Sequence, residues 1–300
     1  LALRYNKTKV EDWRPTNAMS SDVSLYGGTK FNLGRISASS MAYSNSLYYF
    51  HNDVESFSAD LNSRFGQKAS NQLLFTHTFQ DDSRGTPSSN FPFIDILYDG
   101  AYEPYISAGY ELFSYNNGVK TKTTNITDNF TLYMGSHKLT AGARFEHIYA
   151  DNSYLRNGTG YYRFKSVDDF LNMKAPDAVA FTYGYDGISD PTSAVRYNQI
   201  GLYLQDEWQA TNRLKLTYGL RADNIIFDDQ DIARNDKIYA RDFGGYHIDT
   251  GRWPESKWQL SPRVGFTWDV FGDKSLKVRG GSGLFLGRFR LVYLTNMPQN

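Results

Sequence analysis

The densest group of hard-cation ligands in the chain is Phe227-Asp228-Asp229-Gln230-Asp231, three carboxylates in five residues. Calcium takes such oxygens, and an ion bridging them would fasten the start of a loop. The spacing fits no EF-hand loop, however, and reads first as a solvated turn. The five histidines, His51, His77, His137, His147 and His247, are scattered and form no His-Glu-x-x-His pair that would grip zinc. Cysteine is absent, which removes disulfides, thiolate metal sites and cysteine nucleophiles together. The Gly-rich stretch Arg279 to Gly287 carries neither the dinucleotide-binding nor the nucleophile-elbow register. It reads as part of a strand in which glycines permit bending. With no acid, base or nucleophile constellation in view, the chain is expected not to be an enzyme and to carry no cofactor or metal.

Flat aromatic side chains are the remaining chemistry. Tyr161 and Tyr162 in "TGYYRF", Tyr239, and Tyr246 and Trp253 in "GGYHIDTGRWPESKW" sit in polar, turn-rich surroundings. Such rings suit sugars or peptide side chains, so these five are candidate ligand contacts. The alternative is that they pack loops against one another. Beside them, "KSVDDFLN" places Ser166 three residues before Asp169, an approximate capping box that predicts one short helix.

The elements that must position these loops are strands. In "GLYLQDEWQATNRLKLTYGLRAD", Ile200, Leu202, Leu204 and Trp208 share one parity, with Asp206 the intruder, and Leu214, Leu216, Tyr218, Leu220 and Ala222 resume the alternation after Gln209 to Asn212. Period two means a β-strand, so the tetrad is a hairpin turn. The same plan recurs three times, with turns at Gly66 to Ser70, Gly135 to His137 and around Gly272-Asp273. With the partial strand "LALRYN", about nine strands are expected.

Between the hairpins lie polar stretches at about 7–53, 81–120, 151–197 and 226–260. Compact soluble domains seldom tolerate connections beyond about 15 residues, whereas outer-membrane barrels pair short periplasmic turns with long extracellular loops. A strand of about 10 residues tilted by about 40° rises close to 25 Å, the height of the apolar band. Phe65, Phe130, Trp208 and Trp268 share the apolar parity just before each short turn, where an aromatic girdle belongs. Asp60, Arg64, Arg144, Glu146, Gln205, Glu207, Lys215, Arg221, Arg263, Lys277 and Arg279 occupy the other parity, which is a wet lumen in a barrel and a solvated face in a soluble sandwich. Loop rhythm favours the barrel.

Composition agrees. Tyr, Phe, Ser, Thr, Asn and Gly dominate, which suits strands and turns, and 32 basic residues balance 32 acidic ones, which offers nothing to nucleic acid. There is no run of about 18 apolar residues for a transmembrane helix.

"YLQDEWQATNRLKLTYGLRAD", "SPRVGFTWDVFGD", "LKVRGGSGLFLGR", "ADLNSRF", "TDNFTLYMGSHKLTAGAR" and "GYYRFKSVDDFLN" together resemble the barrel of TonB-dependent outer-membrane receptors, over most of residues 50–290. The likeness is to large receptors with a carboxypeptidase-regulatory-like N-terminal domain, related to the SusC/RagA type. It implies an antiparallel barrel of about 22 strands in the outer membrane of a Gram-negative bacterium. It also implies a plug, uptake of a small nutrient driven by TonB through an N-terminal region, and a surface lipoprotein as a further partner. No TonB box, plug or terminal aromatic strand is visible, so residues 1–300 are expected to be an internal, all-β, partial barrel domain. The signal peptide, N-terminal domain, plug and C-terminal strands would then lie outside it. The nutrient class stays open among peptide, oligosaccharide and metal chelate. The competing expectations are a soluble or surface-attached β-sheet carbohydrate-binding protein and, behind it, a barrel enzyme.

Overall fold

The computed structural model describes residues 1–18, 35–99, 103–184, 187–228, 234–288 and 290–296. In chain order the strands are β1 (Ala2–Arg14), β2 (Met41–Ala42), β3 (Tyr48–Phe65), β4 (Ala69–Gly85), β5 (Phe93–Leu97), β6 (Pro104–Ala108), β7 (Gly118–Met134), β8 (His137–Ser153), β9 (Tyr161–Phe164), β10 (Ala178–Ala180), β11 (Thr192–Gln209), β12 (Leu214–Phe227), β13 (Gln259–Asp269) and β14 (Lys277–Gly283). Among the described residues three short α-helices accompany them, α1 (Val167–Leu171), α2 (Asp236–Tyr239) and α3 (Leu291–Asn296), with a 3-10 turn at Ser44–Ser46. None of the described helices is long and apolar enough to cross a membrane.

Nine strands form one sheet in the order β1-β3-β4-β7-β8-β11-β12-β13-β14, with every neighbouring pair antiparallel. In such a meander alternate connections must emerge at the same end. The turns β3–β4, β7–β8, β11–β12 and β13–β14 therefore share one rim, and the four long connections share the other. Gly66 and Gly135 open the first two turns at φ +60 and +57, a conformation that a Cβ would disfavour. In the last turn the Ser275 backbone N–H donates to Asp273 at 2.9 Å, and the Ser275 side chain and backbone together hold the Asp273 carboxyl below its ordinary range.

The strands are longer than the expected ten residues. β3 and β11 have 18 residues, and β4, β7 and β8 have 17. About 10 suffice for the apolar band, so each continues about 20 Å beyond it on the long-connection side. There the outer parity turns polar, as in the row Asp81, Lys120, Asp151 across β4, β7 and β8. The loops shrink accordingly: the spans outside the main sheet are 15–47, 86–117, 154–191 and 228–258, shorter than the four expected stretches.

Burial separates barrel from sandwich. In β8 the apolar-parity residues Ala141, Ala143 and Phe145 are exposed, while Glu146, Ile148, Ala150 and Asn152 of the other parity are buried. Leu202 and Leu204 of β11 and Val264 of β13 are likewise exposed, at 49%, 51% and 60%. A soluble sheet turns its apolar face inward; here the apolar face is outward and the polar face is covered, as in a membrane barrel. At the far end of the inner face, Ile148, Ala150, Val195 and Tyr197 form an apolar cluster with Leu294 of α3.

Two features depart from expectation. The Gly-rich stretch is only partly strand: β14 ends at Gly283, and the chain then turns so that α3 packs on β8 and β11. The first three long connections also build a second, mixed sheet in the order β10-β9-β5-β6-β2, with β5 parallel to β9 and β2 parallel to β6. Its core is Phe93, Leu112, Tyr161 and Ala180. Beside it the Asp95 carboxylate, fully buried, accepts from Arg35, Ser107 and Tyr161.

The shared rim is testable on intact cells. Ala240→Cys, between β12 and β13, is expected to react with an impermeant maleimide and Ala210→Cys, in the β11–β12 turn, is expected not to. Labelling at 210 without labelling at 240 would reverse the orientation.

Candidate functional site

The third connection carries β9, α1 and β10. Ser166 Oγ accepts from the Asp169 backbone N–H at 3.1 Å, so the expected helix forms with the expected cap, as α1. Phe170 of α1 meets Phe164 of β9 edge-on at 5.2 Å. Lys174 Nζ donates to Asp169 at 2.7 Å, and that hydrogen bond holds the ammonium above its ordinary range.

Alternation along β9 divides the two candidate tyrosines. Tyr161 points into the core, 1% exposed, and its hydroxyl donates to Asp95 Oδ2 at 2.8 Å. It is a packing residue without a face to offer a ligand, which corrects its expected role. Tyr162 lies on the other face of β9, half-buried, and meets Phe181 edge-on at 5.5 Å.

The fourth connection also holds a concavity. A cavity of about 480 Å³ is lined by Phe227, Asp228, Arg252, Trp253, Pro254 and Ser256, among others. Trp253 stacks on Phe227 with centroids 5.2 Å apart and planes at 4°, and Phe227 in turn lies 5.6 Å from Tyr197. Asn198 Nδ2 donates to Asp228 at 3.1 Å, and Ser256 Oγ donates to Asn224 at 2.6 Å. Trp253 Nε1 is buried without a hydrogen-bond partner. A buried unpaired N–H is costly, so an acceptor reaching it would recover the loss. Ring face, indole N–H, carboxylate and guanidinium are the groups that hold a sugar or a peptide.

Tyr239 ends α2, whose cap is Asn235 accepting from Ile238 N–H at 3.1 Å. Its ring carries the Arg234 guanidinium at 4.4 Å and neighbours His247 at 5.7 Å. Tyr246 is 75% exposed. Of the five candidates, the structure places Tyr239, Tyr246 and Trp253 in one connection, Tyr162 in another and Tyr161 inside a core. Phe227 and Tyr197 went unassigned because both lie beyond the alternation the sequence shows, Phe227 at the end of β12 and Tyr197 inside β11. They face each other across β11–β12, which their equal distance from the turn signals. Asp229 and Asp231 lie outside the described residues, and among the described residues no group of three or more His, Asp or Glu could hold a metal.

Comparison with known proteins adds the following. A family model described as outer membrane beta barrel domain matches residues 2–300. No curated protein matches. Among solved structures, the chain is similar to the outer membrane transporter YddB from Escherichia coli at 13% identity and TM-score 0.48, with 83% of this chain and 27% of that one covered. It is also similar to the ferric-catecholate import receptor Fiu from E. coli K12 in its open form, at 15% identity and TM-score 0.44, with 89% and 42% covered. The chain thus spans less than half the length of either.

Proposed function

Since the chain belongs to the outer membrane beta-barrel domain family and resides in the outer membrane of a Gram-negative bacterium, we propose that it is the central wall of a TonB-dependent receptor that captures a small nutrient through its outer loops. The observation that carries this reading is that the described parts of the first three long connections are built together. They form a second sheet with its own core and a fully buried ion pair, Arg35 with Asp95, above strands that already extend past the bilayer. A rigid outer surface supplies preorganised contacts, which is what a receptor requires and a simple pore does not. The sequence likeness to TonB-dependent receptors over most of residues 50–290 supports the same assignment. Lipid contacts the outward apolar parity, and a plug, TonB and a surface lipoprotein are the partners this reading brings with it. Within the loops, the Trp253 cavity with Tyr239 and Tyr246 is the contact region we favour, with Tyr162 as an outlying contributor.

Deleting residues 236–256 from the parent receptor tests the site. Cells are offered labelled peptides, oligosaccharides and metal chelates, and barrel assembly is followed separately by heat-modifiable migration. Binding of the cognate class is expected to fall at least tenfold with assembly intact, and uptake in the undeleted receptor is expected to stop without TonB while binding persists. Undiminished binding after the deletion would move the site out of this loop, and TonB-independent uptake would end the transport reading.

A further inference from the structure

Past Gly283 the chain delivers a guanidinium onto the inner face of the sheet. Arg288 Nη2 donates to both oxygens of Glu146, at 2.7 and 2.6 Å. Arg144, on the same strand as Glu146, donates to that carboxylate as well, and Asn125 Nδ2 donates to it at 2.9 Å. Glu146 is 1% exposed, so both of its oxygens are committed and its charge is covered. The arginines are not covered: the Arg144 side chain is 34% exposed and that of Arg288 62%.

Charge counting then gives a surplus. Two guanidinium groups share one carboxylate, which among the described residues leaves one positive charge at this point of the wall. The next carboxylate does not cancel it. Asp223 is engaged by Arg221 through Nε and Nη2, both at 2.7 Å, in a two-point pair. That pair lies against Gly201, the strand partner of both Arg144 and Asp223, where a Cβ would collide with the Arg221 guanidinium. The neutral pair is therefore packed beside the charged one and adds nothing to its balance.

We propose that Arg144 and Arg288 form a luminal binding site for a single carboxylate group of the transported molecule. A carboxylate matches the surplus of one charge, and its two oxygens fit the planar N–H fork of a guanidinium better than a spherical halide does. Glu146 acts as a positioning residue. It holds both guanidinium groups together in the absence of ligand and tempers the affinity so that the ligand can leave again. The site rests on reading the covered polar face as the lumen, and it lies inward of the loop cavity, so a ligand released from the loops meets it next.

The test uses the purified full-length receptor in detergent micelles with propionate as the probe and propionamide, of the same size but uncharged, as the control. Binding is read by saturation-transfer NMR. Propionate is expected to bind and propionamide not to. Arg288→Gln is expected to weaken propionate at least tenfold, Arg288→Lys to fall between, and Glu146→Gln to strengthen it several-fold by removing the competing internal carboxylate. That reversal of sign follows from competition for the guanidinium groups, whereas a merely structural cluster binds no propionate in any variant. Equal binding of propionate and propionamide, unchanged binding in Arg288→Gln, or weaker binding in an assembled Glu146→Gln receptor would each overturn the site. Uptake plays no part in this measurement, so failure of TonB dependence would sink the import reading while leaving the propionate result standing.

Discussion

Arginine in place of Leu204 is expected to destabilise the assembled protein by about 2–4 kcal/mol, whereas arginine in place of the adjacent Gln205 is expected to be tolerated. Leu204 belongs to the exposed apolar parity and stands between Ala141 of β8 and Leu220 of β12. Five residues separate it from the end of β11, which at about 3.3 Å each and a tilt of about 40° places it about 13 Å from the short-turn rim, near mid-bilayer. A guanidinium there must snorkel or draw water into hydrocarbon. Gln205 points to the other face, between Thr140 and Gly219, where water and other charges are available. Urea unfolding from phospholipid bilayers, followed by tryptophan fluorescence, measures both variants. Equal costs, or the greater cost at Gln205, would mean that lipid does not cover the apolar parity.

The second large effect belongs to the loop sheet. Asp95→Ala is expected to cost that sheet about 3–5 kcal/mol, the usual consequence of leaving a buried charge without its partner. Asp95 accepts from Arg35 Nη2 at 2.6 Å, from Ser107 Oγ at 2.6 Å and from Tyr161 Oη at 2.8 Å, and both members of the ion pair are closed to solvent. Replacing the pair together, as Arg35→Met with Asp95→Leu, is expected to restore much of the loss, because no charge is then stranded. External protease on intact cells reads the result: the Asp95→Ala loops are cut early, the double variant resists, and heat-modifiable migration of the barrel is normal in both. Wild-type resistance in the single variant would show that the ion pair does not hold the loops.

Much of the main sheet was legible because the bilayer imposes a strict rule on it. Leu214, Leu216, Tyr218 and Leu220 alternate with Lys215, Thr217, Gly219 and Arg221 since one set meets lipid and the other water, and the turn follows where alternation breaks. The rule lapses beyond the membrane. At Asp81, Lys120 and Asp151 the lipid-side parity turns polar while the inner face gains apolar residues such as Ile148 and Ala150, so the alternation lost its sense although the pairing continued. The loop sheet was hidden for a different reason. Its strands have two to five residues, and its pairings, such as Phe93 with Tyr161, join segments far apart in the chain, which no local periodicity records. Tyr161 illustrates the cost of that blindness: an aromatic in a polar, turn-rich segment reads as a surface contact until the distant strand that buries it is known. Leu284 to Gly287 misled in the opposite way, since apolar residues after a strand resemble more strand until the inward course toward β8 is seen.

The parallel pairing of β5 with β9 couples the outer sheet to the wall beneath it. These two strands flank the β7–β8 hairpin in the chain, one before it and one after, and both stand at its long-connection end. While they are joined, drawing the hairpin back toward the short-turn rim would require tearing the outer sheet apart or dragging polar backbone through hydrocarbon. The sheet that shapes the outer surface therefore also serves as a cleat that keeps the hairpin from slipping.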